Sequence, residues 1–233
     1  MDCVDVAAGD HAKAEEGVKT AEMISAVQSG DAEGVTALIE DDPALASARD
    51  EQGVSAVLHA RYAGRDDLVD LIRPHVQPLD MAEAAAIGDA GRAAELLAGE
   101  PALANSQSAD GFAPLHYAGF FGHPGIARML VKHGADVNAV ANNPMLVQPL
   151  HSAAAAGRAD IVQLLLESGA DANARQQGGF IALHAAAQNG DHAMVKLLLD
   201  HGADAAAATD DGRTAADIAD AAGHPEVVAL LTT

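Results

Sequence analysis

Short apolar stretches alternate with glycine along this chain, and the alternation keeps a beat. An Ala-rich segment from Leu183 to Asn189 is closed by Gly190; a second, from Met194 to Leu199, is closed by Gly202, and Asp204 opens the next turn. Apolar residues at helical spacing predict two helices here. A glycine after each supplies the left-handed residue that closes a helix at little cost. Helices of about two turns cannot bury a face alone, so such pairs are expected to become stable by stacking on their neighbours. The closing glycine recurs at Gly30, Gly64, Gly88, Gly122, Gly157, Gly190 and Gly223, at intervals of 34, 24, 34, 35, 33 and 33 residues.

The wording around these glycines repeats too. Residues 110–139 read DGFAPLHYAGFFGHPGIARMLVKHGADVNA, and 148–174 read QPLHSAAAAGRADIVQLLLESGADANA. Residues 179–205 read GFIALHAAAQNGDHAMVKLLLDHGADA, and 211–231 read DGRTAADIADAAGHPEVVALL. This resembles the ankyrin repeat, in which T-P-L-H-x-A-A-x-x-G-H is followed by V-V-x-L-L-L-x-x-G-A-D. The match is close over residues 110–233 and degenerate but in phase over residues 20–109. The resemblance implies an all-α ankyrin repeat solenoid of about seven helix-turn-helix repeats with short hairpin fingers. The repeats are expected at 20–50, 51–77, 78–109, 110–143, 144–176, 177–209 and 210–233, behind a flexible acidic tail over 1–19. The Ala-rich composition is similar to that of bacterial ankyrin proteins, which implies a cytoplasmic location.

Two irregularities stand out. Pro43-Ala44-Leu45-Ala46 and Pro101-Ala102-Leu103-Ala104 recur at a constant offset of 58 residues, each as a loop in place of the Gly-Ala-Asp turn. The 24-residue step lacks about the length of one finger; its Arg73–Pro78 segment is expected to be an extended link, with a local change of curvature. The 35-residue step places Asn142-Asn143-Pro144-Met145-Leu146 in a longer finger.

Composition narrows the function. The formal net charge is −21, from 13 Lys and Arg against 34 Asp and Glu. A field of that sign repels phosphate backbones and anionic lipid, so direct nucleic-acid or membrane binding is not expected. A single cysteine, Cys3, cannot form an intrachain disulfide, which fits a reducing compartment. The N-terminus does not read as a signal peptide, and no run has the length of a membrane span.

The 11 His residues invite a metal or catalytic reading. His116, His151 and His184 occupy the His place of the motif, where the resemblance implies a structural hydrogen bond between adjacent turns. A repeat apart, they are too distant to share a metal ion. His59 and His75 fit no repeat position and are read as surface residues or as part of a site of their own. Asp210-Asp211-Gly212 lacks the later ligands of a calcium loop. No HExxH, phosphate loop, GxSxG or CxxC pair is present. The expectation is no enzyme, no cofactor and no metal.

Large rings are scarce, at 3% of residues. The resemblance places partner contacts at finger tips and along the exposed side of the first helices, together lining a concave groove. Phe112 and Phe180 precede the motif; Phe120 and Phe121 precede Gly122; Tyr62 and Ile87 precede Gly64 and Gly88. Met145, Leu146 and Val147 lie in the long finger, and Gln188 and Asn189 precede Gly190. Tyr117 is ambiguous, since the residue after the motif His is often packed. An exposed apolar stripe of this kind marks an interaction surface. The leading expectation is a scaffold that binds a protein partner, as a monomer or as a subunit of a hetero-complex. The alternative is an acidic inhibitor or nucleic-acid mimic that blocks a basic protein.

Overall fold

In the computed structural model the described residues are 17–76 and 78–232, so most of the tail expected over 1–19 lies outside them. Residues 17–19 already belong to a helix, α1, which runs through residues 17–29. Thirteen further helices follow: α2 (Ala32–Asp41), α3 (Ala56–Tyr62), α4 (Asp66–Ile72), α5 (Met81–Ile87), α6 (Ala90–Gly99), α7 (Pro114–Phe121), α8 (Pro124–Lys132), α9 (Pro149–Ala155), α10 (Ala159–Glu167), α11 (Ala182–Gln188), α12 (His192–Asp200), α13 (Ala215–Ala222) and α14 (Pro225–Leu231). No β-strand occurs among the described residues, and the helices follow one another along the chain with short turns and single 3-10 turns between them. The chain forms two compact units, Met1–Glu83 and Ala84–Thr233, with the boundary inside α5.

Within Ala84–Thr233 the first helices pack in series, α7 on α9, α9 on α11 and α11 on α13, while the second helices pack α6 on α8, α8 on α10 and α12 on α14. Alanine makes this close approach possible. Ala118, Ala153, Ala154, Ala186, Ala187 and Ala219 are fully buried, and Leu115, Leu150, Leu183, Ile126, Leu130, Ile161 and Leu165 fill the space between the layers. The glycine beat is real in the backbone: Gly122 and Gly223 close α7 and α13 in the left-handed region, at φ 80° and 82°.

The motif His residues do two jobs at once. In each, Nδ1 accepts from the backbone N–H at the head of its own helix: Ala113 to His116 at 3.2 Å, Gln148 to His151 at 3.0 Å, Ile181 to His184 at 3.0 Å. A ring that accepts at Nδ1 carries its proton on Nε2. From there it donates to the next finger, His116 to the Val147 carbonyl at 3.1 Å, His151 to Ala174 at 2.9 Å and His184 to Ala207 at 3.2 Å. All three are buried, and burial holds each imidazole below its ordinary pKa, in the neutral form this wiring requires.

A second ladder runs along the opposite turns. Asn105 donates from Nδ2 to the Gly134 carbonyl at 2.8 Å and accepts from Asp136 N–H at 2.7 Å. Asn138 clamps Gly169 and Asp171 in the same way, at 3.1 and 2.9 Å, and Asn173 clamps Gly202 and Asp204, at 2.8 and 2.7 Å. Each amide binds one donor and one acceptor of the following turn and so ties consecutive turns together.

The Met1–Glu83 unit uses different chemistry at the same place. Leu58 stands where the His would, and the Ser55 hydroxyl caps α3 by accepting from Leu58 N–H. At α5 the position is Glu83, whose side chain is 2% exposed. Its carboxylate accepts from Asp80 N–H at 2.8 Å and from the Arg49 guanidinium at 3.0 Å, so the link to the neighbouring finger is an ion pair directed back along the chain.

The Pro-Ala-Leu-Ala segments expected as loops are single 3-10 turns, Pro43–Ser47 and Pro101–Asn105, with proline at the start where a missing N–H costs nothing. The link after α4, expected to be extended, begins instead with a 3-10 turn, Arg73–His75, because Pro74 sits in its first turn. Val76 returns to extended backbone.

Two expectations follow. The unfolded-state imidazoles titrate near 6.5, and the native ones are held lower. Between those values the unfolded chain binds protons that the folded chain does not, so stability falls as pH drops below about 6.5, by up to about 1.4 kcal/mol per pH unit per imidazole. Urea unfolding of wild type and His151→Gln across this range tests it: the variant should lose about a third of the slope, and an unchanged slope refutes the assignment. Arg49→Met strands the Glu83 carboxylate and should destabilise the chain by about 2 kcal/mol, less than for a fully buried pair because Arg49 is partly exposed. Adding Glu83→Gln should recover part of that loss in the same unfolding measurement.

Candidate protein-interaction surface

The rings of Phe112 and of α7 form one continuous row. Phe112 meets Tyr117 edge-on with centroids 5.9 Å apart, Tyr117 stacks on Phe121 at 6.4 Å, and Phe121 meets Phe120 edge-on at 5.2 Å. Residues 117 and 121 are one helical turn apart, which is why the two rings lie parallel. Tyr117 is the packed member: it is 2% exposed, and its hydroxyl donates to Asp110 at the base of the finger. Phe112 and Phe121 are half-buried, and Phe120 is 46% exposed.

Phe180 is half-buried, with its ring edge-on to His184 at 5.6 Å and lying against Gly178 of its own finger. Phe112 covers His116 in the same way, at 5.6 Å. These two rings therefore also lie against the buried imidazoles. Ile87 is half-buried. Gln188 and Asn189 are exposed, but the Asn189 amide donates to the Ala155 carbonyl at 3.1 Å and so braces the preceding helix. In the Met1–Glu83 unit Tyr62 is 45% exposed at the end of α3.

The long finger is closed by Ala141 N–H donating to Val147 at 2.8 Å. That closure, with the His116 bond to the Val147 carbonyl, turns the Val147 side chain inward, and it is buried. Val147 is thus corrected from contact residue to packing residue. Met145 and Leu146 stand at the tip, 47% and 50% exposed. Leu146 has φ 53°, the left-handed region that a leucine rarely occupies. The tip is pinned on both sides. Asn142 N–H donates to the Gly111 carbonyl at 2.8 Å, Asn143 donates to Asp110 at 3.0 Å, and Gln177 N–H donates to the Met145 carbonyl at 3.0 Å. A side chain at Gly111 would strike the Asn142 carbonyl, so glycine is required for the fingers to stand this close.

Val140, 49% exposed just ahead of this finger, went unnoticed in the sequence because it follows the Gly-Ala-Asp turn without periodic context. The unassigned His residues are now placed. His59 Nε2 lies 2.8 Å from Asp50 and Nδ1 3.4 Å from Gln28, so both nitrogens are engaged. His75 is exposed in its 3-10 turn. Among the described residues no group of three or more His, Cys, Asp or Glu is placed to hold a metal ion, and no helix is long and apolar enough to cross a membrane.

A family model for ankyrin repeats, three copies long, matches residues 81–176 and again 150–233. The chain belongs to the ankyrin repeat family. Ankyrin repeats generally mediate protein–protein interaction and are typically non-catalytic. The matched span opens at α5, so the stretch with Leu58 in the motif His place lies ahead of it. No curated protein matches the chain.

The left-handed Leu146 yields a prediction. Asparagine tolerates this region better than leucine, and the side chain exchanged is half exposed. Leu146→Asn should raise stability by about 0.5–1 kcal/mol. A thermal melt that moves down instead would show that the leucine makes packing contacts outweighing its backbone cost.

Proposed function

We propose that this ankyrin-repeat chain is a non-catalytic scaffold that captures a protein partner on the face made by the first helices and finger tips of residues 84–233. The observation that carries the reading is the exposed end of the α7 ring row together with the Met145–Leu146 tip. In a chain with four Phe, core packing would be expected to claim every large ring first. Phe120 instead remains 46% exposed, although Leu115 on the same helix and Leu150 and Ala153 on α9 are fully or almost fully buried. Rigid aromatic side chains lose little entropy on binding and are favoured anchors at interfaces.

The acidic charge supports a role in the approach of a partner. A net −21 speeds encounter with a basic protein and disfavours direct contact with nucleic acid. The contrasting reading, an acidic mimic that blocks a basic protein, rests on that charge alone and predicts affinity that falls steeply with salt. The reading of a cytoplasmic scaffold is supported by the single cysteine, which fits a reducing compartment.

Phe120→Ala with Phe121→Ala should weaken capture of the native partner by about 2 kcal/mol or more while leaving the helical circular dichroism signal intact. Capture from the native host by wild type and variant, followed by quantitative mass spectrometry in low and high salt, separates the readings. Unchanged capture by the folded variant refutes the aromatic face. Loss of capture in high salt with no effect of the variant favours the acidic mimic.

A further inference from the structure

Among the described residues the cations are few, and most are spent. Lys19 pairs with Asp41, Arg49 with Asp80 and Glu83, Arg61 with Asp66, Arg65 with Asp67, Arg92 with Glu95, Arg175 with Asp210, Lys196 with Asp200 and Arg213 with Asp211. Arg158 is different: among the described residues its guanidinium has no hydrogen bond and no ion pair.

Its position makes this informative. Arg158 follows the helix-closing Gly157, and its side chain lies flat over Gly122, with Nε, Cζ and Cδ at 2.7, 2.9 and 3.1 Å from where a Cβ would stand. Three other residues hold the equivalent place and use their polar atoms structurally. Arg65 donates to the Gly30 carbonyl at 2.9 Å, His123 to Ala86 at 3.1 Å and His224 to Gln188 at 3.2 Å. Arg158 reaches back over the preceding repeat in the same manner, yet keeps all its donors. The glycine beneath it directly follows Phe120 and Phe121, the exposed end of the ring row. The other described cations without a partner, Arg128 and Lys132, lie on the second helix α8.

We infer that the partner presents a bulky apolar side chain to Phe120 and Phe121 and, beside it, a side-chain carboxylate of Asp or Glu to Arg158. The inference rests on the scaffold reading above and names the chemistry of its partner. Complementarity is the argument: an uncommitted guanidinium laid over the glycine that directly follows Phe120 and Phe121 pairs best with a carboxylate, bidentately. The carboxylate is that of a side chain rather than a chain terminus. Terminal carboxylates are usually held by free backbone N–H groups, and here those of Gly122, His123 and Arg158 already donate to Ala118, Ala118 and Ala153. Since the chain as a whole carries −21, the partner is otherwise neutral or basic, with the single carboxylate read at short range.

A random-peptide library displayed on phage, selected against the full chain, against Arg158→Gln and against Phe120→Ala/Phe121→Ala, tests this. Wild type should enrich peptides with an aromatic or large aliphatic anchor and an Asp or Glu at constant spacing from it. Arg158→Gln should retain the anchor and lose the acid. For one selected peptide, Arg158→Gln and the acid-to-amide change in the peptide should each weaken binding about tenfold, and together no more than either alone. Anchors without an acid, or an acid preference unchanged in Arg158→Gln, overturn this inference and leave the aromatic face standing. Enrichment undiminished by the double Phe variant, or of basic peptides released by salt, overturns the scaffold reading itself.

Discussion

Helices of seven to nine residues, as in α7 to α14, do not hold themselves in water, so each must be fixed at its head and tied to its neighbour. In α7, α9 and α11 a single neutral imidazole does both, while at α13 Thr214 and Asp217 cap the head between them. Accepting at Nδ1 from the helix head obliges the ring to donate from Nε2, and the nearest carbonyl is in the next finger. The interior, the finger spacing and the exposed faces all follow from this one tautomer. Alanine lets the helices approach, the imidazoles set the register, and the side chains left outside that register become the surface.

The Met1–Glu83 unit solves the same problem with charge. A buried Glu83 needs Arg49, so a hydrogen bond between neutral groups is replaced by an ion pair whose two members must both be present. Hydroxyl and carboxylate caps at Ser55 and Asp80 fix the helix heads that the imidazoles fix elsewhere. The repeat tolerates this because the requirement is for an acceptor at the helix head and a tie to a neighbouring turn, and several residue types meet it.

Much of this was readable from residue order. Glycine closure and helix pairing follow from local chemistry that repeats with the chain, and the role of His116, His151 and His184 is implied by the resemblance to the ankyrin repeat. Phe120 is singled out by its place before Gly122, and Met145 and Leu146 by the longer finger of the 35-residue step. Other features depend on contacts distant in sequence. Val147 looked like its two neighbours until the finger closed across Ala141 and turned it inward. Asn105, Asn138 and Asn173 read as ordinary turn formers, and only the following repeat reveals that each is a clamp. Arg158 is indistinguishable from other arginines in the sequence; which cation is left without a carboxylate is decided by folding.

The asparagine clamps have a consequence for how such a chain changes length. Each one spans a set distance between consecutive turns, joining residues 105 and 134, 138 and 169, and 173 and 202, and an added residue there would break two bonds at once. The clamps do not fix the length of the finger between them, and the extra length of the 35-residue step falls in the 141–147 finger. Insertions and deletions are thereby channelled away from the scaffolding edge and toward Met145 and Leu146. Variation in length and novelty in recognition are, in this architecture, admitted through the same opening.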